Sequence, residues 1–154
     1  MWFFLPFYLY TFIMLSTKEE KGQSAGLILV VDDSEINRYV THKLLSQWGF
    51  DVELADNGQI AVEMVTVKPY DLILMDIHMP VLDGFKASKA IRAYNNGEFS
   101  DLPIIALTAS IFERDIEEIS RSGMTDYIAK PFVPKELKQK VLDTLSAHCA
   151  DSEL

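Results

Sequence analysis

The sequence predicts an α/β protein with a doubly wound, five-stranded parallel sheet and five helices. Two observations lead to this fold class. From residue 26 onward, five short apolar segments alternate with segments of helical periodicity. The apolar segments are continuous, which is typical of parallel strands with helices on both faces. Since crossovers between parallel strands are right-handed, a doubly wound sheet is the simplest arrangement of these elements.

The first half of this region contains three predicted strands, at about 27–31, 52–55 and 72–75. A first helix, which ends at Gly49, is expected between the first two strands. A second helix is expected at about 59–66, between the second and third strands, and a third helix at about 84–94. We expect that first helix to present one apolar face, made of residues spaced by four, Ile36, Val40, Leu44 and Trp48.

The second half adds two strands and two helices. A polar loop, 95–101, precedes a strand over 104–107, and a short strand over 127–129 follows later. The helix between these strands ends at Gly123, and the last helix opens with Pro134, which a first turn tolerates. The apolar faces of these helices are expected to comprise Phe112, Ile116 and Ile119 in the first, and Leu137, Val141 and Leu145 in the second.

The first 25 residues differ from the rest in composition. Residues 2–15 carry no charge and many aromatic side chains, and a polar linker follows them. This apolar run is shorter than the roughly 20 residues of a bilayer-spanning helix, and no basic residue precedes it as in a signal peptide. A truncated or misassigned start, an interfacial anchor and a signal peptide remain as alternatives. We expect a leader and linker at 1–25, one folded domain at 26–147 and a tail at 148–154.

The composition excludes several classes of function. With 14 basic and 23 acidic residues the net charge is −9, which argues against direct nucleic-acid binding. The single cysteine, Cys149, excludes an intrachain disulfide and a cysteine-based zinc site. We expect a cytoplasmic protein, and membrane contact through residues 2–15 is a weaker alternative.

Polar residues follow four of the five predicted strands. Asp32 and Asp33 follow the first, and Asp76, Thr108 and Lys130 follow the third, fourth and fifth. Because the carboxyl ends of parallel strands share one edge, these side chains are expected to meet there. Three carboxylates together favour a cation, and Mg²⁺ is the ion that suits such ligands. Each residue taken alone could instead be a helix cap or a solvated loop residue.

With these residues in place, the chain resembles the receiver domain of two-component response regulators over about residues 26–147. The resemblance is carried by four segments in order, LVVDDSEINR, DLILMDIHMPVLDG, IIALTA and DYIAKPF, each at a strand end. It implies a flavodoxin-like strand order of 2-1-3-4-5. It also implies a cis peptide bond between Lys130 and Pro131.

The resemblance assigns the central chemistry to Asp76. That carboxylate would accept a phosphoryl group from a phosphohistidine of a histidine kinase or phosphotransfer protein, forming an acyl phosphate. Mg²⁺ would be coordinated by Asp33, Asp76 and the backbone carbonyl of His78, with Asp32 acting through water. The domain would thus catalyse its own phosphorylation and dephosphorylation rather than turn over a separate substrate.

The resemblance also implies a phosphoryl-holding set and a switch. Thr108 and Lys130 would hold the phosphoryl oxygens, assisted by the backbone amide of Ala109. Thr108 would then move toward the phosphoryl group and Tyr127 would rotate inward. This would remodel the face formed by the fourth helix, fifth strand and fifth helix, which a downstream protein partner would recognise.

Two questions of context stay open at this point. The chain could be a pseudo-receiver that binds partners without being phosphorylated, although both the acidic nucleophile and the lysine are present. It could also be either a free-standing regulator or the receiver of a hybrid sensor kinase. Three features resemble those of hybrid-kinase receivers and favour that origin: the segment VDDSEINR, the long loop at 95–101 and the apolar leader.

Overall fold

Five parallel strands form a single sheet in the order β2-β1-β3-β4-β5. The computed structural model describes residues 24–109 and 112–151. The predicted fold class and strand order are confirmed. The predictions for the leader fall almost wholly outside the described residues, as does the end of the tail. The strands are β1 (Leu27–Val31), β2 (Asp51–Ala55), β3 (Leu72–Asp76), β4 (Ile104–Thr108) and β5 (Asp126–Ala129).

Five α-helices connect and follow the strands. Three of them begin at a polar N-cap, Ser34, Asn57 or Asp83, whose side chain accepts a hydrogen bond from the backbone N–H three residues further on. A short 3-10 helix at Tyr94–Asn96 ends the third helix earlier than expected. The α-helices are α1 (Glu35–Gln47), α2 (Gly58–Val67), α3 (Gly84–Ala93), α4 (Glu113–Arg121) and α5 (Pro134–Asp151).

The sheet separates two apolar layers. Successive strand residues point to opposite faces, so Ile28 and Val30 of β1 belong to one layer and Leu29 and Val31 to the other. Helices α1 and α5 cover the first layer, whereas α2, α3 and α4 cover the second. Every residue of β3 and of β4 is buried, which explains why both strands are continuously apolar before their last residues, Asp76 and Thr108.

The predicted apolar face of α1 is wrong in its first half. Ile36 is 75% exposed and Val40 is 47% exposed, while Thr41 and Leu45 are the buried residues of this helix. A helix has 3.6 residues per turn, so residues spaced by four rotate around it by about 40° at each step. The set that begins at Ile36 therefore cannot remain on one buried face over twelve residues.

The predicted face of α4 is correct only at its C-terminal end. Phe112 lies just before the helix and is exposed, Ile116 is also exposed, and Ile119 is buried. That end is attached to α3 by a hydrogen bond of 2.8 Å from Ser88 Oγ to the carbonyl of Ser122. In α5, by contrast, Leu137 and Val141 are fully buried and Leu145 is partly buried, as expected.

No helix within residues 24–109 and 112–151 is long and apolar enough to cross a membrane. The apolar run at 2–15, on which the membrane alternative depends, lies outside the described residues.

Candidate active site

The carboxyl edge of the sheet brings three carboxylates together. Oxygen atoms of Asp32, Asp33 and Asp76 all lie within 4.8 Å of one another. Asp32 and Asp76 are buried, whereas Asp33 is exposed. The clustering expected from strand ends alone is therefore present in the structure.

The turn after β1 allows two consecutive aspartates to face one site. Ser34 caps α1, so neither aspartate is used as the helix cap. The N–H of Ser34 donates to Asp32 Oδ1 at 2.9 Å, and the side-chain amide of Asn37 donates to the same oxygen at 3.3 Å. Because the chain leaves the strand at this point, the alternation of strand side chains no longer separates Asp32 from Asp33.

Lys130 connects the two buried carboxylates. Its Nζ lies 2.6 Å from Asp32 Oδ2 and 3.3 Å from Asp76 Oδ1. Its backbone N–H donates to the carbonyl of Thr108 at 2.6 Å, which fixes the end of β5 beside the end of β4. The Lys130–Pro131 peptide bond is cis, as the resemblance implied.

The electrostatic environment of Asp76 is dominated by burial. Burial raises the pKa of this carboxyl above its ordinary value, and the Lys130 ammonium opposes that rise. The negative charges of Asp32 and Asp33 raise the pKa further. One lysine therefore offsets only part of the negative charge of the cluster, and a second cation would be favourable there.

Two glycines, which were not among the predicted site residues, shape the loop after Asp76. A Cβ at Gly84 would lie 2.2 Å from the carbonyl oxygen of Asp76, and one at Gly58 would lie 2.4 Å from that of Leu82. The N–H of Gly84 donates to the carbonyl of Ile77 at 2.9 Å. The position of Gly84, directly after the loop, is a sequence signal that could have identified it.

The donor set fits Mg²⁺. This ion is hard, prefers oxygen ligands and is commonly held by one or two carboxylates plus water and phosphate oxygens. The three clustered carboxylates supply such donors. His78 lies two residues after Asp76 in the loop that follows β3, and its side chain is exposed.

The two predicted switch residues occupy neighbouring strands. Thr108 is buried at the end of β4, and Tyr127 is half-buried in β5, where it pairs in register with Ala106. Tyr127 packs against the apolar layer beneath α2, α3 and α4.

Comparison with known proteins agrees with this geometry. A family model described as the response regulator receiver domain matches residues 28–142. The chain belongs to this family. As a receiver domain it functions in two-component phosphorelay signal transduction from histidine kinases. Receiver domains bind Mg²⁺ in their active sites, and the acidic cluster described above has the corresponding chemistry.

Relatives of known sequence include sensor kinases much longer than this chain. The receiver domain is 36% identical over 126 residues to the sensor histidine kinase GacS of Pseudomonas protegens, covering 81% of this chain and 14% of that kinase. It is 34% identical over 145 residues to histidine kinase 5 of Arabidopsis thaliana, covering 79% of this chain and 16% of the relative. The chain thus spans about one seventh of the length of such relatives.

Solved structures include receivers from a kinase and from chemotaxis. The receiver domain of the sensor histidine kinase PA1611 from Pseudomonas aeruginosa, which has a magnesium ion in its active-site cleft, superposes with a TM-score of 0.73 at 40% identity. That match covers 80% of this chain and 99% of the other. The chemotaxis protein CheY4 of Vibrio cholerae gives 0.71 at 31% identity, over 77% and 97%.

Proposed function

We propose that Asp76 is the residue that accepts the phosphoryl group in this receiver domain. The observation that carries the proposal is its position: a carboxylate at the end of β3, 3.3 Å from the Lys130 ammonium and clustered with Asp32 and Asp33. A nucleophile in this place lies within reach of a positive group, Lys130, and beside two carboxylates that could bind a cation. That combination suits attack on a phosphoryl group, whose own charge has to be neutralised.

The reaction transfers a phosphoryl group from a phosphohistidine of a histidine kinase or phosphotransfer protein. A carboxylate oxygen of Asp76 forms a bond to phosphorus, and the bond between phosphorus and the imidazole nitrogen breaks. The imidazole leaves with the electron pair of that bond and takes up a proton. The product is an acyl phosphate on Asp76.

The phosphoryl oxygens would be held by groups from β4 and β5. Lys130 supplies a mobile positive charge, and it would exchange its contact with Asp32 for one with the phosphoryl group. Thr108 and the backbone amide of Ala109 supply hydrogen-bond donors at the end of β4. Donors fixed in advance around the developing charge are an efficient form of catalysis because they need little rearrangement.

The acidic pair and the loop after β3 would hold Mg²⁺. In this assignment Asp33, Asp76 and the backbone carbonyl of His78 would coordinate the ion, and Asp32 would act through water. The bound ion would neutralise charge between the carboxylates and the phosphoryl oxygens. The exposed position of Asp33 gives this edge of the cluster access to solvent, from which the ion would enter.

Phosphorylation would be converted into a signal through Thr108 and Tyr127. Thr108 would move toward the phosphoryl group and Tyr127 would rotate into the space beside it, changing the face formed by α4, β5 and α5. We propose that a downstream protein partner, rather than nucleic acid, binds this face. The acidic net charge supports that choice.

We further propose that this receiver serves a relay of the hybrid-kinase type. Its relatives among sensor histidine kinases contain the matched region as a small part of a much longer protein. A free-standing regulator is the alternative, and the match to the chemotaxis protein CheY4, which covers 97% of that chain, supports it.

Intact mass spectrometry after incubation with acetyl phosphate tests the assignment. We expect a single phosphoryl adduct that requires Mg²⁺ and is absent in Asp76→Asn. The control variant Asp51→Asn alters an exposed carboxylate at the start of β2 and should retain the adduct. An adduct in folded Asp76→Asn would contradict the assignment. No adduct on folded wild type, from acetyl phosphate or from a phosphohistidine donor, would favour the pseudo-receiver alternative.

A further inference from the structure

Two side chains of α1 hold Asp32 by different atoms. Arg38 Nη1 donates a hydrogen bond of 2.5 Å to the backbone carbonyl oxygen of Asp32. The amide of Asn37 lies 3.3 and 3.4 Å from the two carboxylate oxygens of the same residue. Both residues lie in the first turn of α1, four and five residues after Asp33.

The contact from Arg38 acts on the peptide that joins the two aspartates. That peptide contains the carbonyl of Asp32 and the N–H of Asp33, so fixing the carbonyl also fixes the direction in which the Asp33 side chain leaves the backbone. Asp33 is exposed and lies in a turn, where the backbone has more freedom than in the strand. A guanidinium is suited to this task because its donors are rigidly arranged.

The contact from Asn37 acts on the carboxylate of Asp32. Lys130 approaches that carboxylate at Oδ2, and the N–H of Ser34 approaches at Oδ1. The amide of Asn37 reaches both oxygens and so restrains the rotation of the carboxylate about its terminal bond. Asn37 carries no charge, so it orients Asp32 without competing with Lys130 for ion pairing.

We propose that Arg38 and Asn37 are positioning residues that hold Asp32 and Asp33 in the arrangement that binds Mg²⁺. This inference rests on the proposed assignment of the acidic pair to the metal site. Charge alone predicts the opposite effect of Arg38, since a guanidinium near a cation site repels the cation. The sign of the effect of removing Arg38 therefore separates positioning from simple electrostatics.

The test is the dissociation constant of Mg²⁺ for the full chain, measured by isothermal titration calorimetry without acetyl phosphate. We expect Arg38→Gln and Asn37→Ala each to weaken binding by about tenfold, the scale of losses when groups supporting a metal ligand are removed. Arg38→Lys, which keeps the charge and a donor, should recover part of the loss. Lys43→Gln removes an exposed positive charge further along α1 and should leave binding unchanged or slightly tighter.

The outcomes distinguish this inference from the proposed function. Unchanged or tighter binding in folded Arg38→Gln, with wild type binding normally, overturns the role of Arg38 and leaves the metal site intact. Unchanged binding in Asn37→Ala does the same for Asn37, and this substitution at an exposed position keeps the test valid if Arg38→Gln does not fold. Wild type that does not bind Mg²⁺, or binding that survives Asp33→Asn undiminished, overturns the metal site and this inference together.

Discussion

Asp76 carries its charge at a cost to the stability of the fold. Burial, together with Asp32 and Asp33, raises the pKa of this carboxyl above its ordinary value of 3.8 despite Lys130. When the pKa of a carboxyl is higher in the folded than in the unfolded state, the protonated form favours folding. This contribution to stability is lost as pH rises through the folded-state pKa. At neutral pH without Mg²⁺ the ionised side chain is therefore unfavourable. The same charge is what a nucleophile and metal ligand requires.

We therefore expect Asp76→Asn to be more stable than wild type by about 1 kcal/mol at pH 7 without Mg²⁺. The difference should shrink as pH falls toward 4, because wild type then becomes protonated and neutral at this position as well. Urea unfolding at the two pH values measures it. If Asp76→Asn were less stable than wild type at pH 7, this explanation would be wrong. It would also be wrong if the difference in stability between variant and wild type were the same at both pH values.

Lys130 compensates two buried carboxylates, and its side chain is only 18% exposed. Removing one partner of a buried ionic group costs about 3 kcal/mol or more, since the remaining charges lose their compensation. We expect Lys130→Met to lose stability of this order without Mg²⁺ and to regain part of it when Mg²⁺ is added. Urea unfolding with and without Mg²⁺ is the measurement.

A matched control for this substitution is Lys135→Met, which removes an exposed lysine at the start of α5. It should change stability by less than about 0.5 kcal/mol in either condition. If Lys130→Met lost no more stability than this control, Lys130 would not be compensating the charges of the two carboxylates in the folded protein.

That these residues meet at one edge of the sheet was predictable from sequence, because each stands at the carboxyl end of an apolar strand. Asp76, Thr108 and Lys130 needed only the rule that parallel strands end at one edge. Arg38 was not predictable in this way. Its contact is with a backbone carbonyl, and the geometry of the turn after β1 cannot be read from residue types alone.

At the scale of elements, the loop between β3 and α3 stores local strain. Val81 has a positive φ of 69°, and the N–H of Leu82 donates to the carbonyl of Pro80 at 2.9 Å across it. This is a γ-turn with a β-branched residue at its centre, a conformation that disfavours valine. The loop is held in this shape at its ends by Gly58 and Gly84, beside the backbone of Asp76.

We expect Val81→Asn to stabilise the protein by about 1 kcal/mol, because asparagine adopts positive φ at less cost than valine. The control is Val67→Asn at the end of α2. Val67 is 83% exposed and Val81 is 82% exposed, so the two substitutions expose similar surface and differ in backbone conformation. Thermal or urea unfolding compares them. Equal effects of the two substitutions would show that the turn imposes no strain on Val81.

The reliability of sequence prediction differs between elements for a physical reason. Strands β3 and β4 are buried on both sides and are apolar up to their last residues, Asp76 and Thr108, so their sequences identify them. Helices α1 and α4 each touch the core along part of their length. Among the residues that the structure describes, Ile36 and Val40 of α1 are exposed, and Ile119 is the one buried residue of α4. Apolar spacing on such helices cannot distinguish core contacts from an exposed apolar surface.

At the scale of the whole molecule, the paired strands β4 and β5 connect the active site to the proposed signalling face. β4 ends at Thr108 beside the carboxylates, and β5 carries Tyr127 in register with the middle of β4. The C-terminal end of α4 is attached to α3 through Ser88 and by a hydrogen bond of 2.9 Å from Arg92 Nε to the carbonyl of Gly123. A change at the end of β4 is therefore more easily transmitted to the N-terminal part of α4 than to its anchored end.

This arrangement predicts where phosphorylation changes the molecule. We expect acetyl phosphate with Mg²⁺ to alter backbone hydrogen exchange in α4 and β5 of wild type by at least about threefold, while α2 stays within error. Tyr127→Ala should become phosphorylated to the same extent by intact mass but show a much smaller change in α4, because no ring is present to fill the space beside Thr108. Tyr39→Ala, which removes an exposed aromatic ring from α1, should behave as wild type. Equal exchange changes in Tyr127→Ala and wild type would exclude the aromatic switch while leaving phosphorylation of Asp76 unaffected.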